Sequence, residues 1–267
     1  MSKVALVTAA STGLGAATAL ALACAGHMAY AGIGPSSGLS AARLGELEKQ
    51  MLLEGIRLRP LALDVADQRS VSAAIREITV EAGRIDVVVH GMGPVPRGPV
   101  ESFTPYQLAQ IYDAHVLSTQ RVNRAVLPQM RERRDGLLVW VLPAVNRADT
   151  TPYLALHSET VTLIDHLAAS YARELAGFGI EVCTVVSHAR TTEADRHAGL
   201  VHPADAETIS AYDGQYPGLA DRVNAVLAQQ AATGDIDRTA GAIAVAVDSP
   251  KGSRPSRIIA APVSDRP

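Results

Sequence analysis

Histidine is the residue type in this chain best placed to move protons near neutral pH. His90 closes the apolar run Val87–His90, His188 follows the run Glu181–Val186, and His115 and His157 lie inside two long helical patterns. Tyr153 stands four residues before His157, one helical turn away on the same face, where it would position the imidazole or share its proton. Lysine is scarce: Lys3, Lys49 and Lys251 are the whole set, so the middle of the chain has no ammonium to lower a tyrosine pKa. The pattern favours general acid/base work by His157, with His115 and His188 as helpers. A metal site is not expected, because no close His-x-His or His-x-x-x-His spacing occurs.

These residues need a scaffold. Short apolar runs alternate with longer helical patterns, the arrangement of a parallel sheet with crossover helices. Strands are expected at Val4–Thr8, Met28–Ala31, Leu58–Leu63, Val87–His90, Leu137–Leu142, Glu181–Val186 and Arg257–Ala260. Helices are expected at about Gly13–Ala25, Ser40–Glu54, Ser70–Ala82, Pro105–Met130, Pro152–Phe178, Leu219–Gln230 and Thr239–Asp248. The fold class is α/β, a single doubly wound, Rossmann-type parallel sheet with helices on both faces, forming one domain over residues 1–267. Such sheets bind ligands at the carboxyl ends of their strands, so the segments after Thr8, Leu63, His90, Leu142 and Val186 should converge on one cleft. Residues 189–218 hold Pro203 and Pro217 and no sustained period, and read as a flexible lid over that cleft.

A chain that is 48% hydrophobic and 19% charged has the material for a large core. Its net charge of −3 gives no reason to expect nucleic acid or an anionic membrane as a partner, and Arg131-Glu132-Arg133-Arg134 reads as a solvated helix end. Cys24 and Cys183 sit in apolar helix and strand patterns, so both are expected as buried free thiols in a reducing, cytoplasmic setting. No secretory signal or membrane-length apolar run is visible.

The turn Thr8-Ala9-Ala10-Ser11-Thr12-Gly13-Leu14-Gly15 follows a strand and opens a helix, where small residues let backbone amides approach a pyrophosphate. On this turn the chain resembles the short-chain dehydrogenase/reductase family, whose pattern is Thr-Gly-x-x-x-Gly-x-Gly. Thr8, Gly13 and Gly15 match, and Ala9 replaces the first glycine. The resemblance extends through Leu63-Asp64-Val65, Asp86-Val87-Val88-Val89, the run from Gln120 to Pro128, the run from Glu174 to Ile180, and Ser253-Arg254-Pro255-Ser256-Arg257. It implies a nucleotide site at Ser11, Thr12, Gly13 and Gly15, with Asp64 and Val65 beside the adenine and Gly91 in the loop after the fourth strand.

The departures from that family pattern concentrate on its chemistry. Gly34-Pro35 stands where relatives that use NADPH carry an Arg-Asp pair, and His90-Gly91-Met92-Gly93 replaces Asn-Asn-Ala-Gly. His115 takes the place of the family's helix asparagine, Leu142-Pro143-Ala144 lacks the serine hydroxyl, and His157 and Val161 fall where the tyrosine and lysine stand. A competing register, Tyr153 to His157 as Tyr-x-x-x-Lys with histidine for lysine, moves the tyrosine a full turn toward the N-terminus. His188 replaces glycine in the family's Pro-Gly turn.

The resulting expectation is a repurposed family member doing non-redox proton transfer with His157 as acid/base. Its reaction would be the cyclisation, dehydration or isomerisation of an apolar carbonyl compound, so a cyclase, lyase or isomerase. No cofactor would be required, and any NAD(P) binding would be vestigial. A residual NAD(P)-dependent oxidoreductase and a catalytically silent binding protein remain open beside it. The expected partners are a small-molecule substrate and a second copy of the chain, with neither nucleic acid nor membrane. The homodimer or homotetramer would form through the helices starting near Pro105 and Pro152, where His166 also lies.

Overall fold

The computed structural model describes residues 2–11, 13–35, 49, 51, 55–91, 93–144, 152–188, 200–232 and 236–260. In chain order its elements are β1 (Val4–Val7), α1 (Gly13–Cys24), β2 (Met28–Ile33), β3 (Leu58–Ala62), α2 (Gln68–Ala82), β4 (Val87–His90) and β5 (Val95–Pro96). A 3-10 turn at Val100–Ser102 precedes α3 (Pro105–Tyr112), which runs through a π turn at Asp113–Leu117 into α4 (Ser118–Arg133). Then come β6 (Gly136–Pro143), α5 (Ala155–Ala176), β7 (Ile180–Ser187), β8 (Leu200–Val201), α6 (Ala206–Gln215), α7 (Leu219–Ala232), α8 (Ile236–Asp248) and β9 (Arg257–Ala260).

Seven strands pair in parallel in the order β3-β2-β1-β4-β6-β7-β9. The central strands are unbroken apolar runs because helices cover both faces of the sheet. Successive side chains point to opposite faces. Leu6, Val88 and Leu138 therefore join one core with α2, α4 and α5, while Ala5, Val7, Val89 and Val139 join a second core with α1 and α8. Pro60 is tolerated because β3 is an edge strand, where a missing N–H breaks no ladder. The order builds outward from β1 in one direction and from β4 in the other, which puts the crevice between these two strands.

Four sequence expectations need correction. Helix α5 begins at Ala155, not Pro152, because Tyr153 sits in the left-handed region at φ 68° and breaks the helical path. Tyr153 and His157 therefore do not share a helix face. Cys24, the last residue of α1, is exposed, whereas Cys183 in β7 is buried and burial pushes its thiol pKa up to about 11. The stretch read as an aperiodic lid contains α6, a helix with no buried residue, started by Asp205, whose carboxylate accepts from the Thr208 amide at 3.0 Å. Finally, the long helix expected from Pro105 is interrupted by the π turn. The expected helix Ser40–Glu54 and residues 189–199 of the lid fall largely or wholly outside the described residues. Among the described residues, no helix is long and apolar enough to cross a membrane.

Candidate active site

The carboxyl ends of β1, β2 and β4 form one hydrogen-bonded floor. Thr8 N donates to Val89 O at 2.9 Å, Gly91 N donates to Thr8 Oγ1 at 3.0 Å, and Ala10 N donates to Gly32 O at 2.9 Å. Two glycines make the closeness possible. A Cβ on Gly15 would lie 2.2 Å from Ala9 O, and one on Gly91 would lie 2.6 Å from Thr8 O. Helix α1 opens at Gly13 with no acidic residue in its first turn, so its N-terminal amides and dipole face the floor without a competing carboxylate. Ser11 lies at the same turn, half-buried, and Thr12 is outside the described residues. Ala9 is exposed there at φ 53°, a conformation its methyl makes costly. Such a cradle fits the pyrophosphate of a dinucleotide.

At the other rim, beyond β3, Asp64 is held in a turn. Its amide donates to Ser70 Oγ at 2.9 Å and its Oδ1 accepts from Ala66 N at 2.9 Å. The carbonyl of Val65 accepts from Arg121 Nη1 at 3.4 Å.

The four histidines have separate surroundings. His90 points away from the cleft into the core: it is 2% exposed, its Nε2 lies 2.8 Å from Asn123 Oδ1, and its ring packs 4.8 Å from that of Trp140. Burial lowers its pKa to about 4, only partly opposed by the Asn123 bond, so it is neutral at pH 7. His115 is buried in the π turn. Its Nε2–H donates to Pro94 O at 2.7 Å, and its ring lies where a Gly93 side chain would be. Burial outweighs that bond and lowers its pKa too. His188 is half-buried, its Nδ1–H donating to Ala260 O at 2.9 Å, which ties the end of β7 to the end of β9. His157 sits in the first turn of α5 with both ring nitrogens buried, and its carbonyl accepts from Thr160 Oγ1 at 2.8 Å. Among the described residues, no three His, Cys, Asp or Glu side chains are grouped to hold a metal.

Tyr153 packs toward α6. Its hydroxyl donates to Asp213 Oδ1 of α6 at 3.4 Å, its carbonyl accepts from Gly98 N at 2.9 Å, and its ring packs with Leu154 and Val223. Burial and then the Asp213 carboxylate raise its pKa, the opposite of what a proton-donating tyrosine needs. At the family's lysine position, Val161 packs against the core and lines a small cavity with Pro143. Beyond them the Asp165–Arg257 ion pair spans 2.7 Å.

Sequence reasoning missed several partners. Asp113 forks with Arg121 at 2.5 Å. Asn123 and Asp213 carried no signal, because each acts through a neighbour distant in sequence. Gln107 had one, the Thr104-x-x-Gln capping box, but its side chain also anchors the segment before α6: Nε2 donates to His202 O and Oε1 accepts from Ala204 N, both at 3.0 Å.

Sheet order and crevice define an α/β protein of the doubly wound, Rossmann-type class. The family model for short chain dehydrogenase matches residues 3–199, and the chain belongs to that family. It is 27% identical over 216 residues to a 3-ketodihydrosphingosine reductase from Bacteroides thetaiotaomicron, covering 81% of this chain and 71% of that one. It is 29% identical over 207 residues to human 17-beta-hydroxysteroid dehydrogenase type 1, covering 77% and 59%. Among solved structures, an alcohol dehydrogenase from the archaeon Thermococcus sibiricus complexed with 5-hydroxy-NADP has the same fold, with a TM-score of 0.73 at 21% identity, covering 100% of this chain and 99% of that chain.

These findings overturn the expected non-redox reaction: the relatives are named as a reductase and a dehydrogenase, not as cyclases, lyases or isomerases. The expectation that no cofactor is required falls with it, since chains of this fold hold NADP or its derivatives and the cradle fits a pyrophosphate. Loss of proton-relay residues does not entail loss of hydride chemistry, because the close floor between β1 and β4 is built from other residues than those at 115, 157 and 161.

Proposed function

We propose that the protein is a nicotinamide-dinucleotide-dependent oxidoreductase that interconverts a ketone and a secondary alcohol on a hydrophobic small molecule. The observation that carries this reading is the floor between β1 and β4, where Gly15 and Gly91 leave no room for a Cβ and α1 presents its N-terminus. Gly13, Gly15 and Gly91 would cradle the pyrophosphate, Ser11 would contact it, and Asp64 and Val65 would border the adenosine. A bound nicotinamide would supply the hydride for the carbonyl carbon in reduction, or take it from the alcohol carbon in oxidation.

His157 is assigned the matching proton at the substrate oxygen. An imidazole can hold and donate a proton without the neighbouring ammonium that a tyrosine would need and that Val161 cannot supply. His115 and Tyr153 act on geometry: His115 holds Pro94 over the cleft, and Tyr153 fastens α6. His188 braces β7 to β9 at the far wall. Residues 200–218 form the described part of the lid, and the apolar set Tyr153, Leu154, Val223 and Leu219 beneath it supports a hydrophobic substrate. The substrate names of the two relatives support the same class. Exposed Leu117 and Leu163, on the helical run from Pro105 and on α5, support homodimerisation through that face. Two free cysteines support a cytoplasmic location.

The test is consumption of NADH or NADPH with a panel of hydrophobic ketones, in wild type and in His157→Ala. Wild-type turnover falling at least about 100-fold in the variant, with nucleotide binding kept, is the expected result. Equal turnover in both proteins removes His157 from the proton step.

A further inference from the structure

Arg121 joins two parts of the cleft, reaching Val65, 56 residues away in sequence, as well as Asp113. From the first turns of α4 its guanidinium forks onto Asp113, Nη2 to Oδ1 at 2.5 Å and Nη1 to Oδ2 at 3.3 Å, while Nη1 also reaches Val65 O at 3.4 Å. Val65 lies just past β3, on the side of the crevice where a sheet of this order receives the adenosine half of a dinucleotide. Asp113 opens the π turn Asp113–Leu117, a widened coil that interrupts an otherwise α-helical run. Two residues later in that turn is His115, whose ring holds Pro94 in the loop after β4 and lies where any side chain on Gly93 would clash at 2.7 Å. One continuous line of contacts thus runs from the β3 exit, through Arg121 and Asp113, to the β4 exit.

The guanidinium is the joint in that line. It is planar and five-donor, and it is 21% exposed with its carboxylate partner at 29%, so the pair is only partly screened. A shift of Val65 would change how much of the fork is left for Asp113, the residue that opens the π turn. We propose that Arg121 is a positioning residue that couples occupancy of the adenosine half of the cleft to the setting of the π turn and its His115 clamp. This inference rests on the nucleotide-binding reading above.

The test uses AMP as probe, because it fills the adenosine half alone, with NADH as the full-length comparison. The readouts are AMP affinity by calorimetry and the ring resonances of His115 in protein labelled at histidine. In wild type, AMP is expected to shift the His115 signal although it cannot reach it. Arg121→Met should bind AMP about tenfold more weakly and show no His115 shift even at saturation. Arg121→Lys should fall between, since it keeps the charge and loses the fork. Asp113→Asn keeps the Val65 contact, so it should bind AMP within about twofold of wild type yet lose the His115 response. That variant decides the matter if Arg121→Met does not fold. Wild-type AMP affinity together with a wild-type His115 shift, in Arg121→Met or in Asp113→Asn, overturns the coupling while leaving the nucleotide site intact. Failure of wild type to bind either AMP or NADH overturns the functional reading itself, and the coupling with it.

Discussion

Among the described residues of the proposed nucleotide floor, Ala9 is the one whose side chain works against its own backbone. At φ 53° an L-residue other than glycine costs about 1–2 kcal/mol. Replacing it with glycine relieves that strain and returns about 0.4–1 kcal/mol of freedom to the unfolded chain. Ala9→Gly should therefore stabilise by about 0.5–1 kcal/mol, which in a chain of this size raises the melting temperature by about 1–3 °C. The same methyl is exposed at the floor, and a Cβ on Gly91 would lie only 3.0 Å from it. One methyl obstructing a fitted site is worth about 1–3 kcal/mol, so the variant should bind NADH about tenfold more tightly. Ala9→Val should do the reverse on both counts, since a branched Cβ is still less compatible with positive φ. Thermal melts read by circular dichroism, with and without NADH, measure both effects. An Ala9→Gly protein that melts below wild type and binds no better would refute the assigned strain and the assigned floor together.

Three further outcomes are expected. Because burial lowers the His90 pKa to about 4 from an unfolded value of 6.5, the unfolded chain binds the extra proton between those limits. Acidification from about pH 6.5 toward 4 should thus cost stability, by about 3 kcal/mol at most. Urea titrations should show that slope in wild type and a shallower one in His90→Gln. Tyr153→Phe removes only the hydroxyl bond to Asp213, so stability should change by less than about 1.5 kcal/mol. Its KM should rise a few-fold with kcat within about twofold, whereas loss of a proton donor costs kcat about 100-fold or more. Gly91→Ala drives a methyl to 2.6 Å from Thr8 O, so it should lose about 1–3 kcal/mol of stability and weaken NADH binding in the same melts and titrations.

The sheet was legible because its strands are buried on both faces and must be apolar throughout: Val87–His90 is bounded as its sequence pattern implies. The amphipathic helix α2 announced itself by the period of Val71, Ala74, Ile75 and Ile78. Helix α6 did not, since it buries nothing and only its Asp205 cap betrays it. Within the site, chain position identified which segments meet but not where side chains point. His90 ends a strand that leads to the cleft, yet its ring turns into the core to satisfy Asn123. Tyr153 precedes His157 by four residues, yet its positive φ sends it toward α6. The π turn has no period of its own and takes its form from Arg121, Asp113 and the loop at Gly93, contacts no local pattern encodes.

Trp140 is the only tryptophan in the chain and lies in the sheet strand beside β4, so its emission reports on a nicotinamide bound over the crevice. Titration with NADH and NADPH, followed by energy transfer from Trp140 to the reduced nicotinamide, tests the central claim most directly. Saturable binding of at least one of the two, below about 1 mM and diminished in Gly91→Ala, is the predicted result. Absence of binding by both dinucleotides up to that concentration would contradict it.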